Sequence, residues 1–205
     1  MSLRRFRYAH AVAKQRIDRT EVIAAAMRVA DRDGLDEVAL ARVADDLGVQ
    51  PSALYNHVDG VDGLFQDMTQ QAAHNLADSL LDAAIARSGG DALRAVATAY
   101  RDFAQRHPGQ YASLLLPVGR EVSGDTSPHE TITTVLARIV APWGYTGDAA
   151  IHAARVIRSS IHGFVTLEAS GAFVNPQETD ESFAALLDFI VSGIEQPDEA
   201  PAVAP

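Results

Sequence analysis

The sequence predicts an all-α protein of about nine helices, with a small N-terminal head, a long connecting helix and a larger C-terminal helical body. Apolar residues recur at intervals of three and four along most of the 205 residues, which is the spacing of one helix face. No segment alternates apolar and polar residues as a half-buried strand does. Glycine and proline separate the periodic segments, at positions where helices end.

The first helix is predicted to begin after Asp18, because Asp18 and Glu21 have the spacing of a capping box. Gly34 is expected to end it. Its apolar stripe consists of Val22, Ile23, Ala26, Met27 and Ala30.

Two short helices, over about 39–47 and 51–57, are predicted next. Gly48 can adopt the left-handed backbone at the end of the first, and Pro51 suits the first position of the second. The apolar side of the pair is formed by Val43, Ala44, Leu47, Val49, Ala53 and Leu54. This pattern indicates a helix-turn-helix, whose second helix enters the major groove of DNA. The polar side of that helix carries Gln50, Ser52, Tyr55, Asn56 and His57.

A long helix over about 59–86 is predicted to connect head and body. The body is then expected to contain helices over about 91–107, 111–116, 130–141, 148–170 and 180–194, with a loop at 118–128. Asp91 and Asp148 are expected to cap their helices, and Pro142 to stop the helix before it. The helix at 148–170 is apolar over more than one face, which predicts burial on two sides. The two C-terminal helices therefore suggest a dimer interface.

Composition excludes several classes of protein. The chain has no cysteine, no apolar run of membrane-spanning length and no secretory signal, so a cytoplasmic location is expected. The net charge of −10 is unevenly distributed, because residues 1–58 carry nine basic and eight acidic side chains while the remainder is strongly acidic. Such asymmetry directs one end of the molecule toward a polyanion.

Residues 34–64, GLDEVALARVADDLGVQPSALYNHVDGVDGL, resemble the DNA-binding domain of the TetR family of bacterial transcriptional regulators. Residues 16–38 are similar to the family's first helix, and residues 162–173, HGFVTLEASGAF, to a signature of one TetR C-terminal subfamily. The chain departs from the family pattern at Ala39 and Gln50, where hydroxyl caps are usual, and at Val61, where a phosphate-binding lysine is usual. These departures weaken any transfer of backbone contacts from relatives.

The resemblance implies a DNA interface on the head. Gln50, Ser52 and Asn56 are expected to contact base edges, and Tyr55 and His57 to contact phosphates. The alternative for Tyr55 and His57 is packing against the fourth helix. A basic arm, residues 1–16, either follows phosphates or is a disordered tail that aids solubility. The full set of expected DNA-binding residues is Arg42, Gln50, Pro51, Ser52, Tyr55, Asn56, His57, Arg4, Arg5 and Arg7.

The resemblance also implies a head at 17–64, a ligand-binding and dimerisation domain at 65–194, and a tail at 195–205 expected to be disordered. A small apolar or aromatic effector would release a homodimer from a palindromic operator, with no cofactor and no membrane partner. Ordinary core packing is the competing interpretation of the candidate ligand-binding residues, which are Tyr100, Phe103, Tyr111, Leu115, Trp143, His162, Phe164 and Glu168. His152, His162 and Glu168 lack the spacing of a metal site.

The sequence also bears on two other classes of function. An enzyme is not expected, because the chain lacks a cysteine nucleophile, a G-x-S-x-G elbow, a P-loop and a dinucleotide-binding fingerprint. An all-helical interaction module that has lost specific DNA binding is the alternative to a repressor, since three usual contact or capping residues are missing.

Overall fold

The computed structural model describes residues 17–116 and 128–195 of the chain, and side chains 128–130 are outside that description. The expected arm, most of the loop at 118–128 and nearly all of the expected tail lie outside the described residues. Those residues form α-helices joined by turns and two 3₁₀ turns, with no strand among them. The helices are α1 Arg19–Asp33, α2 Leu40–Leu47, α3 Pro51–Leu54, α4 Gly60–Ala84, α5 Gly89–Arg106, α6 Pro108–Ser113, α7 Pro128–Val140, α8 Gly147–Ala169 and α9 Thr179–Ile194.

The start of α1 confirms the predicted capping box. The Asp18 Oδ1 atom accepts from the backbone N–H of Glu21 at 2.9 Å, and Glu21 Oε2 accepts from the N–H of Asp18 at 3.1 Å. Both donors would otherwise be unpaired at the helix end. α1 therefore begins where the sequence indicates, and its apolar stripe packs against α2, α4 and α6.

The turn between α2 and α3 also follows the prediction. Gly48 has φ 67° and ψ 32°, and the N–H of Val49 donates to the carbonyl of Ala44 at 3.0 Å. The second helix is shorter than the predicted 51–57, since regular α-helix ends at Leu54. A turn continues it: the N–H groups of His57 and Val58 both donate to the Leu54 carbonyl, at 2.8 and 3.1 Å.

The helices of the body begin one to three residues before their predicted starts. α5 begins at Gly89 and α8 at Gly147, after extended backbone at Ser88 and Thr146, so Asp91 and Asp148 lie in the first turns and do not cap. A carboxylate in a first turn still interacts favourably with the helix dipole. α7 ends at Val140, and a 3₁₀ turn, Ala141–Trp143, carries the chain through the expected stop.

α4 connects the two parts of the fold. Its 25 residues extend about 37 Å and contact α1 at one end and α5, α6 and α7 along the rest. α8 packs on α7 and α5, and α9 packs on α5 and α8. One hydrophobic core runs without interruption from Val22 in α1 to Ile194 in α9. Head and body therefore share one packed interior, so a displacement of helices in one part can be transmitted to the other.

α6 begins at Pro108, three residues before the predicted position, because proline is well suited to the first turn of a helix. Its second residue, Gly109, lies directly on α1. A Cβ atom at Gly109 would come within 2.1 Å of the Ala30 carbonyl carbon and 2.2 Å of its oxygen. Glycine is required here for the close approach of two backbones.

Candidate functional site

The polar surface around α3 stands out into solvent on a firmly buried base. Leu54 is fully buried and Val58 nearly so, and both belong to the hydrophobic core that includes the fully buried Val43 and Ala44 of α2. Tyr55, in contrast, is 64% exposed. In and around α3, the exposed residues of the set expected to bind DNA are Gln50, Pro51, Ser52, Tyr55 and Asn56, and His57 is half-buried. We call Gln50, Ser52, Tyr55 and Asn56 the reading surface.

The alternative of packing against the fourth helix does not describe Tyr55, whose side chain is mostly in water. Asn56 and His57 follow the last residue of α3 and belong to the turn before α4. Backbone hydrogen bonds hold this stretch: the N–H of Ala53 donates to the Gln50 carbonyl, and those of His57 and Val58 donate to the Leu54 carbonyl. The backbone that carries the reading surface is therefore hydrogen-bonded, although only Ser52 of its four residues lies in regular helix.

Arg42 is exposed but engaged. Its guanidinium donates to Glu37 Oε2 at 2.7 Å and lies 3.7 Å from Asp33 Oδ2. A phosphate could recruit Arg42 only by competing with these two carboxylates. In the protein without DNA, the charge of Arg42, the residue of α2 expected to contact DNA, is therefore balanced by carboxylates.

The same pairing occupies every arginine that the structure describes in the head. Arg19 pairs with Asp67, Arg28 with Asp46, and Arg32 with both Asp33 and Asp46 at 2.8 and 3.1 Å. Residues 17–58 contain four arginines against eight carboxylates, so this part of the head is net acidic. The positive balance of residues 1–58 comes from residues 1–16, which include Arg4, Arg5 and Arg7 and lie outside the described residues.

A cavity of about 670 Å³ lies in the body between α6, α7 and α8. It is lined by Leu114, Leu115, Thr133, Thr134, Ile151, Arg155, Arg158, Ser159 and His162. Of the eight side chains expected to bind a ligand, Leu115 and His162 line this cavity. Its size is that of pockets that bind small organic molecules.

Tyr111 lies behind the cavity wall and contacts it through His162. The Tyr111 hydroxyl is 2.5 Å from His162 Nδ1 and 3.4 Å from the Tyr100 hydroxyl. Burial raises the pKa of Tyr111 well above its usual range, so its hydroxyl remains protonated. Burial, helped by the charge of Arg158, lowers the pKa of His162. A neutral imidazole therefore shares a hydrogen bond with the Tyr111 hydroxyl at Nδ1.

Phe164 and Glu168, both expected at the ligand, belong instead to a cluster around Arg101. The Arg101 guanidinium makes a two-atom ion pair with Glu168 and lies 2.8 Å from Asp180 Oδ1. It also stacks on the rings of Phe164 and Phe183, at 5.7 and 4.9 Å from their centroids. Arg101 lowers the pKa of Glu168, which stays ionised at neutral pH. This cluster joins α5, α8 and α9.

The remaining residues that were expected to bind a ligand pack in or against the hydrophobic core. Tyr100 and Phe103 are buried in the core, as the competing interpretation holds. Trp143 lies in the 3₁₀ turn and packs on the core, with its ring 3.8 Å from the position of a Cβ on Gly89. Core packing thus accounts for these three side chains without a ligand.

A polar cluster joins head and body beside Gly109. Asp31 of α1 accepts three hydrogen bonds from α6 and its cap: from the Gln110 backbone at 2.9 Å, the Gln110 amide at 2.7 Å and His107 Nδ1 at 3.1 Å. Asn75 of α4 donates to Gln110 Oε1 at 2.9 Å. α1, α4 and α6 therefore meet at one side chain, Gln110.

Comparison with known proteins agrees with this geometry. The family model for the tetracyclin repressor-like C-terminal domain matches residues 93–190. The HTH-type transcriptional regulator YobS of Bacillus subtilis (strain 168) is 32% identical over 174 residues, covering 84% of this chain and 90% of its own. An HTH-type regulator of Mycobacterium tuberculosis is 28% identical, covering 88% and 83%. This chain belongs to the TetR family.

Solved structures show the same fold. A TetR from Streptomyces coelicolor superimposes with a TM-score of 0.69 at 21% identity, covering 88% of this chain and 98% of its own. A TetR variant from Acinetobacter baumannii AYE, solved in complex with minocycline, gives 0.68 at 22% identity, covering 90% and 100%. TetR-family proteins are transcriptional regulators of the helix-turn-helix type and not enzymes, which confirms both expectations from the sequence.

Two features of this TetR-family regulator were missed by the sequence analysis. Arg155 and Arg158 line the cavity, yet surface and cavity arginines look alike in a sequence. The available signal was their position one and two turns from His162 on the same helix. No group of three potential metal ligands occurs within the described residues, and none of the helices described there has the length and hydropathy to cross a membrane.

Proposed function

We propose that this TetR-family regulator is a homodimeric repressor in the cytoplasm, which binds a palindromic operator through its reading surface and is released by a small-molecule effector. The observation that carries the proposal is the contrast at α3. Gln50, Ser52, Tyr55 and Asn56 face solvent on α3 and its flanking turns, whereas the inner residue of α3, Leu54, is fully buried. Exposed amide and hydroxyl groups on a rigid base suit base-edge recognition in the major groove.

Dimerisation is supported by apolar side chains on the outer faces of α8 and α9. Val156 and Leu167 of α8 and Phe189 of α9 are 63%, 48% and 79% exposed. Small residues lie beside them, including Gly163 and Gly193, each with open space around a Cβ in the protomer. A second copy packed on this face would bury the apolar surface and present two reading surfaces to two half-sites.

Transmission from cavity to head is supported by α6, which touches both. Leu114 and Leu115, directly after α6, line the cavity, while Gly109 and Gln110 rest on α1. The Thr69 hydroxyl also donates to the carbonyl of Ser113 at 3.1 Å, which joins the far end of α6 to α4. An effector that displaces α6 therefore shifts the head relative to the body. By linkage, effector and DNA then weaken each other's binding by the same factor.

The interaction module that has lost DNA binding remains the second candidate function. The pairing of all four arginines in residues 17–58 with carboxylates favours it, because such arginines offer little net attraction to phosphate. The repressor is the better supported of the two, because residues 1–16, which precede α1 in the chain, add five basic side chains to the sequence of the head.

The decisive experiment is selection of the full-length protein on a genomic fragment library, followed by anisotropy titration of the selected DNA. Enrichment of an inverted repeat supports the repressor. Asn56→Ala should weaken binding to the selected site by about 1–3 kcal/mol and relax base preference at one position in each half-site. The matched control is Asn175→Ala, an exposed asparagine of the body. No enrichment of any fragment would favour the interaction module.

A further inference from the structure

The cavity side of α8 carries an unusual set of side chains. Ile151, Arg155, Arg158, Ser159 and His162 are spaced by four, three, one and three residues, and at about 100° per residue they share one helix face. This face is separate from the outer apolar face, where Val156 and Leu167 lie, and from the core face. The residues of the core face are Ala150, Ala154, Ile157, Ile161 and Val165.

The lining is cationic and rich in donors. Two arginines, a histidine and the hydroxyls of Thr133, Thr134 and Ser159 face the cavity, and none of its nine lining residues is acidic. Among the described residues, Arg155 has no carboxylate partner. This differs from the head, where every described arginine is paired, and from Arg101, which Glu168 and Asp180 neutralise on another side of α8.

His162 adds a polar ring that is held in one orientation. The Tyr111 hydroxyl is 2.5 Å from Nδ1, so this hydrogen bond orients the neutral ring. The ring places a neutral polar group beside the two guanidinium groups of the lining. The rest of the lining is apolar: Leu114, Leu115 and Ile151.

We propose that the cavity binds a small organic anion, whose charged group contacts Arg155 and Arg158 and whose apolar part packs on Leu114, Leu115 and Ile151. The inference rests on the proposed function in one respect, since it names the chemical class of that function's effector. The effector expected from the sequence was an apolar or aromatic compound, and the cavity adds that this compound carries a carboxylate-like group. Guanidinium groups bind carboxylates through parallel charge-assisted hydrogen bonds, which neutral ligands cannot replace.

The test measures binding to full-length protein without DNA, by calorimetry. The probes are a panel of aryl and alkyl carboxylates, headed by 4-phenylbutanoate, each matched with the alcohol and the amine of the same skeleton. The variants are Arg155→Gln and Arg158→Gln, with Arg158→Lys as a second variant that keeps the charge if the glutamine variant fails to fold. The control is Arg138→Gln, an exposed arginine of α7 that is not in the lining.

We expect carboxylates to bind about tenfold to a hundredfold more tightly than their alcohols, and the amines to bind more weakly still. Arg155→Gln and Arg158→Gln should remove most of that preference, whereas Arg138→Gln should leave it unchanged. Alcohols or amines that bind as tightly as the carboxylates would overturn the proposal. So would a panel in which no carboxylate binds, or a preference that both cavity variants retain.

The same samples separate this inference from the proposed function. Carboxylates that bind through Arg155 and Arg158 in a protein that selects no DNA would refute the repressor but uphold the anion site. A protein that selects an inverted repeat, and is released from it only by neutral or cationic compounds, would uphold the repressor and refute the anion site.

Discussion

Gly109→Ala tests whether α6 is held against the head by direct backbone contact. The added Cβ would lie 2.1 Å from the Ala30 carbonyl carbon, 2.2 Å from its oxygen and 2.5 Å from its Cβ. Relief to an ordinary contact near 3.5 Å requires α6 and α1 to separate by roughly 1.4 Å. The three hydrogen bonds that Asp31 accepts from α6 and its cap, at 2.7 to 3.1 Å, cannot survive such a separation.

The expected cost follows from these two effects. Overpacking of a close contact costs about 1–3 kcal/mol, and loss of hydrogen bonds to a carboxylate adds about 1.5–3 kcal/mol. The better helix propensity of alanine returns at most about 1 kcal/mol. We therefore expect Gly109→Ala to lower the free energy of unfolding by about 3 kcal/mol, which is a fall of roughly 6–12 °C in Tm for a chain of this size. Urea unfolding followed by circular dichroism measures it.

A second substitution makes the test specific. Ala30→Gly removes the Cβ at 2.5 Å but leaves the carbonyl carbon and oxygen, which are the nearer atoms. The double variant Gly109→Ala/Ala30→Gly should therefore be no more stable than the sum of the two single effects. Rescue by Ala30→Gly, or a cost of Gly109→Ala below about 1 kcal/mol, would show that the two backbones are not in contact.

The other predictions concern charge and assembly. Deletion of residues 2–16 removes five basic side chains, so the plot of log K against log salt should become less steep by up to about 4.5 per protomer; an unchanged slope would show that the arm does not contact phosphate. Arg101→Met should lower the free energy of unfolding by about 2–3 kcal/mol at pH 7, measured in urea. Because Arg101 lowers the pKa of Glu168, its contribution is present above the ordinary glutamate pKa and is lost as the pH falls below it, so parent and variant should converge in acid. Phe189→Asp should yield monomers in sedimentation equilibrium, and persistence of dimers would place the interface elsewhere.

Local chemistry explains which parts of the fold were predictable. Asp18 and Glu21 bond only to each other's backbone, and Gly48 needs only its own φ, so three or four residues contain the whole signal. Asp91 and Asp148 were predicted caps for the same local reason and proved wrong. At both sites a glycine with positive φ begins the helix two or one residues earlier, and the sequence does not show whether that conformation is adopted.

The cavity was less predictable than the head, because its members are distant in sequence. Glu168 and Arg101 are 67 residues apart, and only the packing of α5 on α8 shows that this glutamate is neutralised and turned away from the cavity. Arg155 is the opposite case, because it was not expected in the cavity and lines it. It reads as an ordinary surface arginine, and the fold places it beside Arg158 on a concave wall.

The distribution of paired and unpaired arginine connects the two proposals. An ion pair on a surface contributes little to stability, so the four pairs of the head do more to cancel charge than to hold α1 and α2 together. Cancelling that charge lowers attraction to random DNA and leaves specific contacts at α3, together with the arm, to decide where the protein binds. In the cavity the reverse holds, since Arg155 has no carboxylate partner among the described residues and none of the nine described residues of the lining is acidic. The arginines described in the head are paired with carboxylates, whereas the cavity of the body presents arginines to a ligand. This arrangement suits a regulator whose release from DNA is controlled by a small anion rather than by salt.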